Sequence, residues 1–515
     1  MSRRLSLLVF LAIASISTFA QIAVLTQHND NYRTGQNTSE TILTPANVNA
    51  NQFGKLFSQT VDGYIYAQPL YVPNVVIPGN GTHNVVYVAT EHDSVYAFDA
   101  DSKSAALWQT SFINPSKGIT SVSSSDVGCS DLVPEIGVTG TPAIDAASNT
   151  MYVLAKTKEN GAFLQRLHAL DITTGAEKFG GPVVIQATLG EKFDPLRHAQ
   201  RPGLLLQNGL VYIAWASHCD ITPYHGWVMA YDAQTLQQKS VWNSTKSGGL
   251  GGIWQGGAGM AADSQNNLFL ATGNGTFDHN IKGPDFGDSV VKMKFNKAGK
   301  LHPADYFSPY DEQYLEDTDL DLGSGGVLLI PDLAKGKHRF LLVQVGKEGT
   351  VYVVNRSHMG HFNPNNNNQI VQNLPGAVGG MWGMPALWNN HVYFGGSDDN
   401  LKMFNFNPST GLLTNNPVSS SDSFFGYPGP TPSISANGNT NGIVWAIETD
   451  QYGSGPSILH AYDATDLSTE LYNTQQNQSR DNPGGAVKFT VPTVVNGKVY
   501  VGAVKQLSVY GLLGQ

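Results

Sequence analysis

One pattern recurs eight times in this chain, and it constrains the fold more than any other feature. A short apolar run containing an aromatic is followed by a polar loop. A second apolar run comes next, often ending in Ala-x-Asp or Ala-Tyr-Asp. The copies begin at Val85, Met151, Val211, Leu268, Phe340, Val392, Ile443 and Val499. Their spacing of roughly 50 to 70 residues is in the range of propeller blades. Each copy has alternation enough for about four strands, with turn pairs such as Asn208-Gly209 and Asn496-Gly497 inside it. One such unit cannot bury both its faces, whereas a ring of them buries nearly all. The pattern therefore predicts an all-β chain, an eight-bladed β-propeller.

A ring must close, because open sheet edges invite aggregation. The last copy stops at Tyr510-Gly-Leu-Leu-Gly, too soon for a fourth strand. Residues 55–61 read as a strand that precedes the first copy and belongs to none. This N-terminal strand is predicted to close the last blade. No linker or shift in composition follows it, so residues 21–515 read as a single domain. The insertions at 114–138, 275–287 and 300–325 are expected as loops on a propeller face. The segment 28–37 is polar and rich in turn residues. The Asp99, Asp171, Asp232 and Asp463 turns read as blade architecture, and Arg201-Pro-Gly as a turn in a first strand.

Composition agrees with many short strands and tight turns. The chain has 55 glycines in 515 residues, and only 14% of it is charged. A net charge of −10 argues against binding nucleic acid or an anionic membrane nonspecifically. Residues 1–20 read as a secretory signal: Arg3 and Arg4, an apolar run, then Thr18-Phe19-Ala20 before Gln21. The run is too short and too interrupted for a membrane span. The mature protein is expected to be periplasmic or secreted. In such an oxidising place the two cysteines, Cys129 and Cys219, suggest one disulfide. There is no Cys-x-x-Cys-His, hence no covalent haem.

Four loops between 211 and 349 carry the chemistry. They are Ser217-His-Cys-Asp220, Thr272-Gly-Asn274, Asp317-Thr-Asp-Leu-Asp321 and Gly346-Lys-Glu-Gly349. In a ring they can meet at one mouth. Hard cations take carboxylate and amide oxygens, and Asp220, Asn274, Asp319 and Asp321 offer both. The same residue types are common strand-end turn formers, which is the competing reading. Likewise His28, His218 and His225 could be ligands or hydrogen-bonded structure.

The chain also resembles the quinoprotein alcohol dehydrogenases, the eight-bladed group that includes methanol dehydrogenases. Asn31-Tyr-Arg-Thr-Gly, followed by Leu43-Thr-Pro-Ala-Asn-Val48, is similar to the segment that opens those enzymes. Tyr212 to Asp220 resembles their strand ending in a metal-binding Glu, and Leu270-Ala-Thr-Gly-Asn274 their Gly-Thr-Gly-Asn strand. Thr318-Asp-Leu-Asp321, Gln344 to Arg356 and Gly379-Gly-Met-Trp-Gly-Met-Pro385 follow in the family's order. The resemblance implies pyrroloquinoline quinone with Ca²⁺ or a lanthanide as cofactors. It implies Asp220, Asn274, Asp319 and Asp321 as metal ligands and Asp319 as the catalytic base. Ser217, Lys347 and Trp382 would contact the quinone. The implied activity is oxidation of a small-molecule alcohol or sugar, with electrons leaving to a separate acceptor.

The departures fall at the site. Where the family has adjacent cysteines, this chain has Cys129 alone. Pro134-Glu135 stands where the family has an Arg for a quinone carboxylate, and a Glu there would repel it. The Trp beneath the quinone is missing from 256–259, with Trp254 nearby but out of register, and Met381 replaces an Asn. Two further readings follow: a non-catalytic propeller serving as a binding or assembly module, and a metal-dependent site for another small ligand.

Overall fold

A computed structural model describes residues 22–514; the predicted signal at 1–20 lies outside them. Eight antiparallel sheets follow one another along the chain, each built on one of the repeats. The first blade is Leu70–Ile77, Gly81–Thr90, Ser94–Asp99 and Trp108–Ser111 in that order. The fourth is Ala261–Ala262, Leu268–Ala271, Val290–Phe295 and Leu301–Ser308. The apolar repeats alternate because neighbouring sheets pack face to face. Trp445, for instance, is fully buried and lies 5.5 Å from Phe53, between the seventh and eighth blades.

The Asp turns have the expected local cause. Asp99 Oδ1 accepts from the Asp101 and Ser102 N–H groups, and Asp171, Asp232 and Asp463 fold back in the same way. Ring closure also follows the expectation, with a longer strand. Phe53–Tyr64 pairs antiparallel with Lys498–Leu512, which pairs in turn with Thr493–Val495. The insertions differ in part. Residues 114–138 hold the strand Ile119–Ser123 and the short helix Ser124–Val127, and the strand extends the second blade's sheet. The insertion expected from residue 300 begins only after Ser308, since Leu301–Ser308 is a blade strand.

The polar N-terminal segment has a place that its sequence did not disclose. It lies across one end of the central channel and bonds to the inner strand of every blade. The N–H groups of Tyr71, Ile144, Ala262, Leu329, Leu387 and Ile434 donate to its carbonyls at Val24, Leu25, Asn31, Tyr32, Thr34 and Gly35. Asn31 and Asn37 side chains donate to Leu206 O and Val494 O, which adds the third and eighth blades. Arg33 lies fully buried beneath this strap and donates to Met260 O, Thr26 Oγ1 and Gln27 O. His28 is structural, its two ring nitrogens bonded to Arg33 O and Pro432 O. No helix among the described residues is long and apolar enough to cross a membrane.

Candidate functional site

At the channel end away from the strap, loops leaving successive blades surround a cavity of about 210 Å³. Three of the expected loops meet there. Lys347 Nζ lies 2.6 Å from Asp321 Oδ2 and 3.0 Å from Asp319 Oδ1. Asn274 Nδ2 donates to Asp319 Oδ1 at 2.8 Å, and the Asn274 N–H donates to Asp321 Oδ1 at 2.7 Å. Asn274 Oδ1 is buried without a hydrogen-bond partner. Gly273 permits this approach, because a Cβ there would stand 2.0 Å from Asp321 Oδ1.

The loop 309–321 sets the two aspartates. The helix Glu312–Thr318 ends at Asp319, whose φ of 57° turns the chain sharply so that Asp321 faces inward. The two differ accordingly: the Asp321 side chain is 3% exposed and the Asp319 side chain 68%. Burial pushes Asp321 up to about 6 even though Lys347 pulls it down. Burial opposes the charge of Lys347, but Asp321 and Asp319 raise its pKa above the ordinary lysine value. Asp288 lies fully buried behind them and accepts from the Leu322 N–H, with its other oxygen unpartnered. Burial, then the charge of Asp321, raise it well above the ordinary carboxylate range.

Asp220 and Cys219 line the same cavity from an exposed turn in which both residues have left-handed φ. The Tyr224 hydroxyl donates to Asp220 Oδ1. Cys219 is bonded to Cys129, as expected. This bridge ties the 114–138 insertion to the Asp220 turn. Ser217 is fully buried beside Tyr224 and is set back from the cavity. Trp382 lines it, edge-on to Tyr427 at 4.9 Å. His218 and His225 are engaged in hydrogen bonds, His218 with Lys156 Nζ and His225 with Thr245 O. Among the described residues, no three His, Cys, Asp or Glu side chains are arranged around one ion position. Of the four expected metal ligands, Asn274, Asp319 and Asp321 are in direct contact with each other or with Lys347, and Asp220 stands across the cavity.

Two residues to which the sequence reading gave no place at the site line the cavity. Arg201, read as part of a turn, lines the cavity and donates to Asp131 Oδ2 at 2.5 Å. Trp254 also lines it, despite its offset in sequence. Glu135, expected to oppose an anion, is instead turned to His92 and Ser121 and does not line the cavity. The signal for Arg201 was present in its setting. A lone cation stands between turn residues in a chain with little charge, at the start of an inner strand, where side chains face the channel.

Two expectations follow from this geometry. Removing the bridge with Cys129→Ser and Cys219→Ser together frees a 90-residue loop. The expected loss is about 2–4 kcal/mol of stability, read by denaturant unfolding. Glu312 is buried at the base of the acidic loop, and burial, with Glu316 beside it, pushes it from 4.5 up to about 7. A carboxyl that holds its proton more tightly when folded opposes folding as pH rises through that window. Glu312→Gln imitates the protonated form. It should match the parent's melting temperature at pH 4 and exceed it at pH 8.

No protein-family model and no curated protein matches this chain. Solved structures do. The quinohemoprotein alcohol dehydrogenase from Comamonas testosteroni is similar with a TM-score of 0.62 at 17% identity, over 96% of this chain and 80% of that one. A europium-containing methanol dehydrogenase gives 0.62 at 14% identity, over 95% and 98%. BamB from Moraxella catarrhalis gives 0.51 at 12% identity, over 90% and 98%. At these identities the likeness is one of architecture. This chain has the eight-bladed propeller fold of the quinoprotein alcohol dehydrogenases.

Proposed function

We propose that this chain is an exported oxidoreductase that holds a hard cation and pyrroloquinoline quinone in the cavity and oxidises an alcohol or sugar hydroxyl. The observation that carries the reading is the contact of Asn274, Asp319, Asp321 and Lys347, with Asn274 Oδ1 left unpartnered beside the cavity. The donors fit a hard cation in kind. Asp220, Asp319 and Asp321 set three carboxylates against one ammonium, so two negative charges await balance, and Asn274 adds a neutral oxygen. The walls fit a flat ring, since Trp254 and Trp382 both face the cavity. The volume is below the roughly 300–1,000 Å³ of enclosed small-molecule pockets. A ring system of that size would therefore extend into the mouth beside exposed Asp319.

In this reading Asn274 Oδ1, Asp321 and Asp220 supply oxygens to the cation. With a cation held by these oxygens, Asp321 would no longer need Lys347, whose ammonium could then donate toward anionic oxygens of the quinone. Asp319, at the rim and open to solvent, takes the proton from the substrate hydroxyl. Pyrroloquinoline quinone, when bound beside the cation, would supply the two-electron acceptor. Electrons then pass to a separate carrier. The disulfide agrees with an oxidising compartment after export, periplasmic or extracellular.

A second reading, a non-catalytic binding or assembly module, is favoured by one feature. Both cavity cations already have carboxylate partners, Arg201 in Asp131 and Lys347 in Asp319 and Asp321. Titration of the purified protein with pyrroloquinoline quinone, in Ca²⁺ or La³⁺, separates the two. The oxidoreductase reading expects a shifted quinone spectrum and dye-linked alcohol oxidation. An unchanged spectrum with every metal sinks the oxidoreductase and leaves the module or a metal-dependent site for another small ligand.

A further inference from the structure

We propose that Arg201 and Lys488, held around Asp131, form a subsite at the cavity mouth for a substrate carboxylate, so that the cavity takes a hydroxy-carboxylate such as a sugar acid. The starting point is an imbalance. Asp131 accepts from Arg201 through one oxygen at 2.5 Å and from Lys488 through the other at 2.6 Å. Two cations share one carboxylate, and buried Glu91, which also feels Arg201, is pushed up to about 7 by burial and so offsets the surplus only in part. Neither cation can swing out to solvent. Their side chains are 6% and 5% exposed, and each is packed on aromatic rings, Arg201 on Phe489 and Lys488 on Tyr452, both at 4.7 Å.

Arg201 also has donors to spare. A guanidinium carries five N–H groups in a fixed fork. Only the bond to Asp131 engages any of them, and the side chain lines the cavity. A buried fork with unused donors beside open space is matched by a planar two-oxygen anion. The Asp131 carboxylate is held by both cations, and its backbone by an N–H bond to Cys129 Sγ, part of the bridge to Cys219. Nor is it released by a change of protonation near neutral pH. Burial alone would raise it, but Arg201 and Lys488 hold it well below the ordinary carboxylate range.

The opposite wall fixes the ligand's direction. Asp321 lies there against Lys347, so its charge is already matched and it offers acceptors to hydroxyl groups more than a place for a second carboxylate. A hydroxy-carboxylate thus lies with its acid at Arg201 and its hydroxyls toward Asp319 and Asp321, with Trp382 and Tyr427 along one side. A neutral alcohol of the same shape would leave the Arg201 donors unmet, and sites of that kind discriminate strongly. That the hydroxyl is then oxidised rests on the proposed function; the carboxylate subsite does not, and no new chemical step is added.

Calorimetric titration of the full protein with gluconate and with glucose, before any quinone is added, tests the subsite. Gluconate is expected to bind at least about tenfold more tightly. Arg201→Gln should erase that preference, and Asp131→Asn should tighten gluconate several-fold while leaving glucose unchanged. A gain on removing Asp131 is a readout that a merely structural ion pair would not give. Equal binding of the two sugars overturns the proposal, as does a preference that survives Arg201→Gln. Displacement of gluconate by pyrroloquinoline quinone also overturns it, because the Arg201 end would then belong to the cofactor. A gluconate preference without any quinone spectral change would sink the oxidoreductase and keep the subsite; the reverse pair of results would do the opposite.

Discussion

Replacing Lys347 by methionine is expected to destabilise the cation-free protein by about 1–2 kcal/mol at pH 7 and by little at pH 5. Among the described residues, its ammonium is the one positive charge in contact with Asp321, a carboxylate almost wholly removed from water. Without it the folded protein must either hold a bare buried charge or protonate the carboxyl. Protonation is the cheaper course, and it limits the loss. With lysine present Asp321 already stands at about 6, so at pH 5 it holds its proton in parent and variant alike, and each pH unit above about 6 adds about 1.36 kcal/mol to the variant's loss. The cost therefore grows with pH, the sign expected for a carboxyl whose folded pKa is raised. The outer contact, to exposed Asp319, adds little. Denaturant unfolding at the two pH values in EDTA measures the difference. Adding Ca²⁺ or La³⁺ should restore most of it in the variant, since the cation no longer competes with an internal ammonium. A loss that is the same at both pH values would show that the packing of the lysine stem matters and its charge does not.

Arg33→Met is expected to cost about 3–5 kcal/mol. The side chain is fully buried, and its donors meet two backbone carbonyls and a threonine hydroxyl in the strap and the fourth blade. Methionine fills much of the volume but leaves those acceptors unmet, at about 1–3 kcal/mol each where nothing else can reach them. Burial also lowers Arg33 to about 10, so part of the loss is returned by no longer burying a cation. The strap bonds to all eight blades, and its loosening should weaken the ring as a whole. Hydrogen exchange should therefore quicken at the inner-strand N–H groups of Ala262, Leu329 and Ile434 together. Quickening confined to the fourth blade would show that the strap acts only locally.

What the sequence disclosed follows from how each feature is built. The blades were readable because face-to-face packing imposes a period on the apolar residues. Closure was readable because the eighth repeat lacks a strand and one spare strand precedes the first. Asn274, Asp319, Asp321 and Lys347 were readable as a group because each follows a strand in the fourth or fifth repeat, and such positions share one face. The strap was not, since its bonds run through backbone carbonyls to inner-strand edges and leave no periodic trace in residues 22–40. Arg201 was hidden because its partner Asp131 lies 70 residues away in an insertion. Only the folded ring brings that insertion over the third blade. Trp254 was set aside on its offset of a few residues, but the loop before the fourth blade's inner strand carries it to the cavity all the same. Glu135 shows the converse: its position in sequence suggested the cavity, and its hydrogen bonds to His92 and Ser121 hold it elsewhere.

The claim that this mouth is a cation site is tested most directly by a crystal of the protein soaked in a lanthanide and located by anomalous scattering. A single strong site is expected within about 2.3–2.6 Å of Asn274 Oδ1 and an Asp321 oxygen, with Lys347 moved off Asp321. A crystal with no ion at the mouth, or with its ion elsewhere and Lys347 still paired to Asp321, would contradict it.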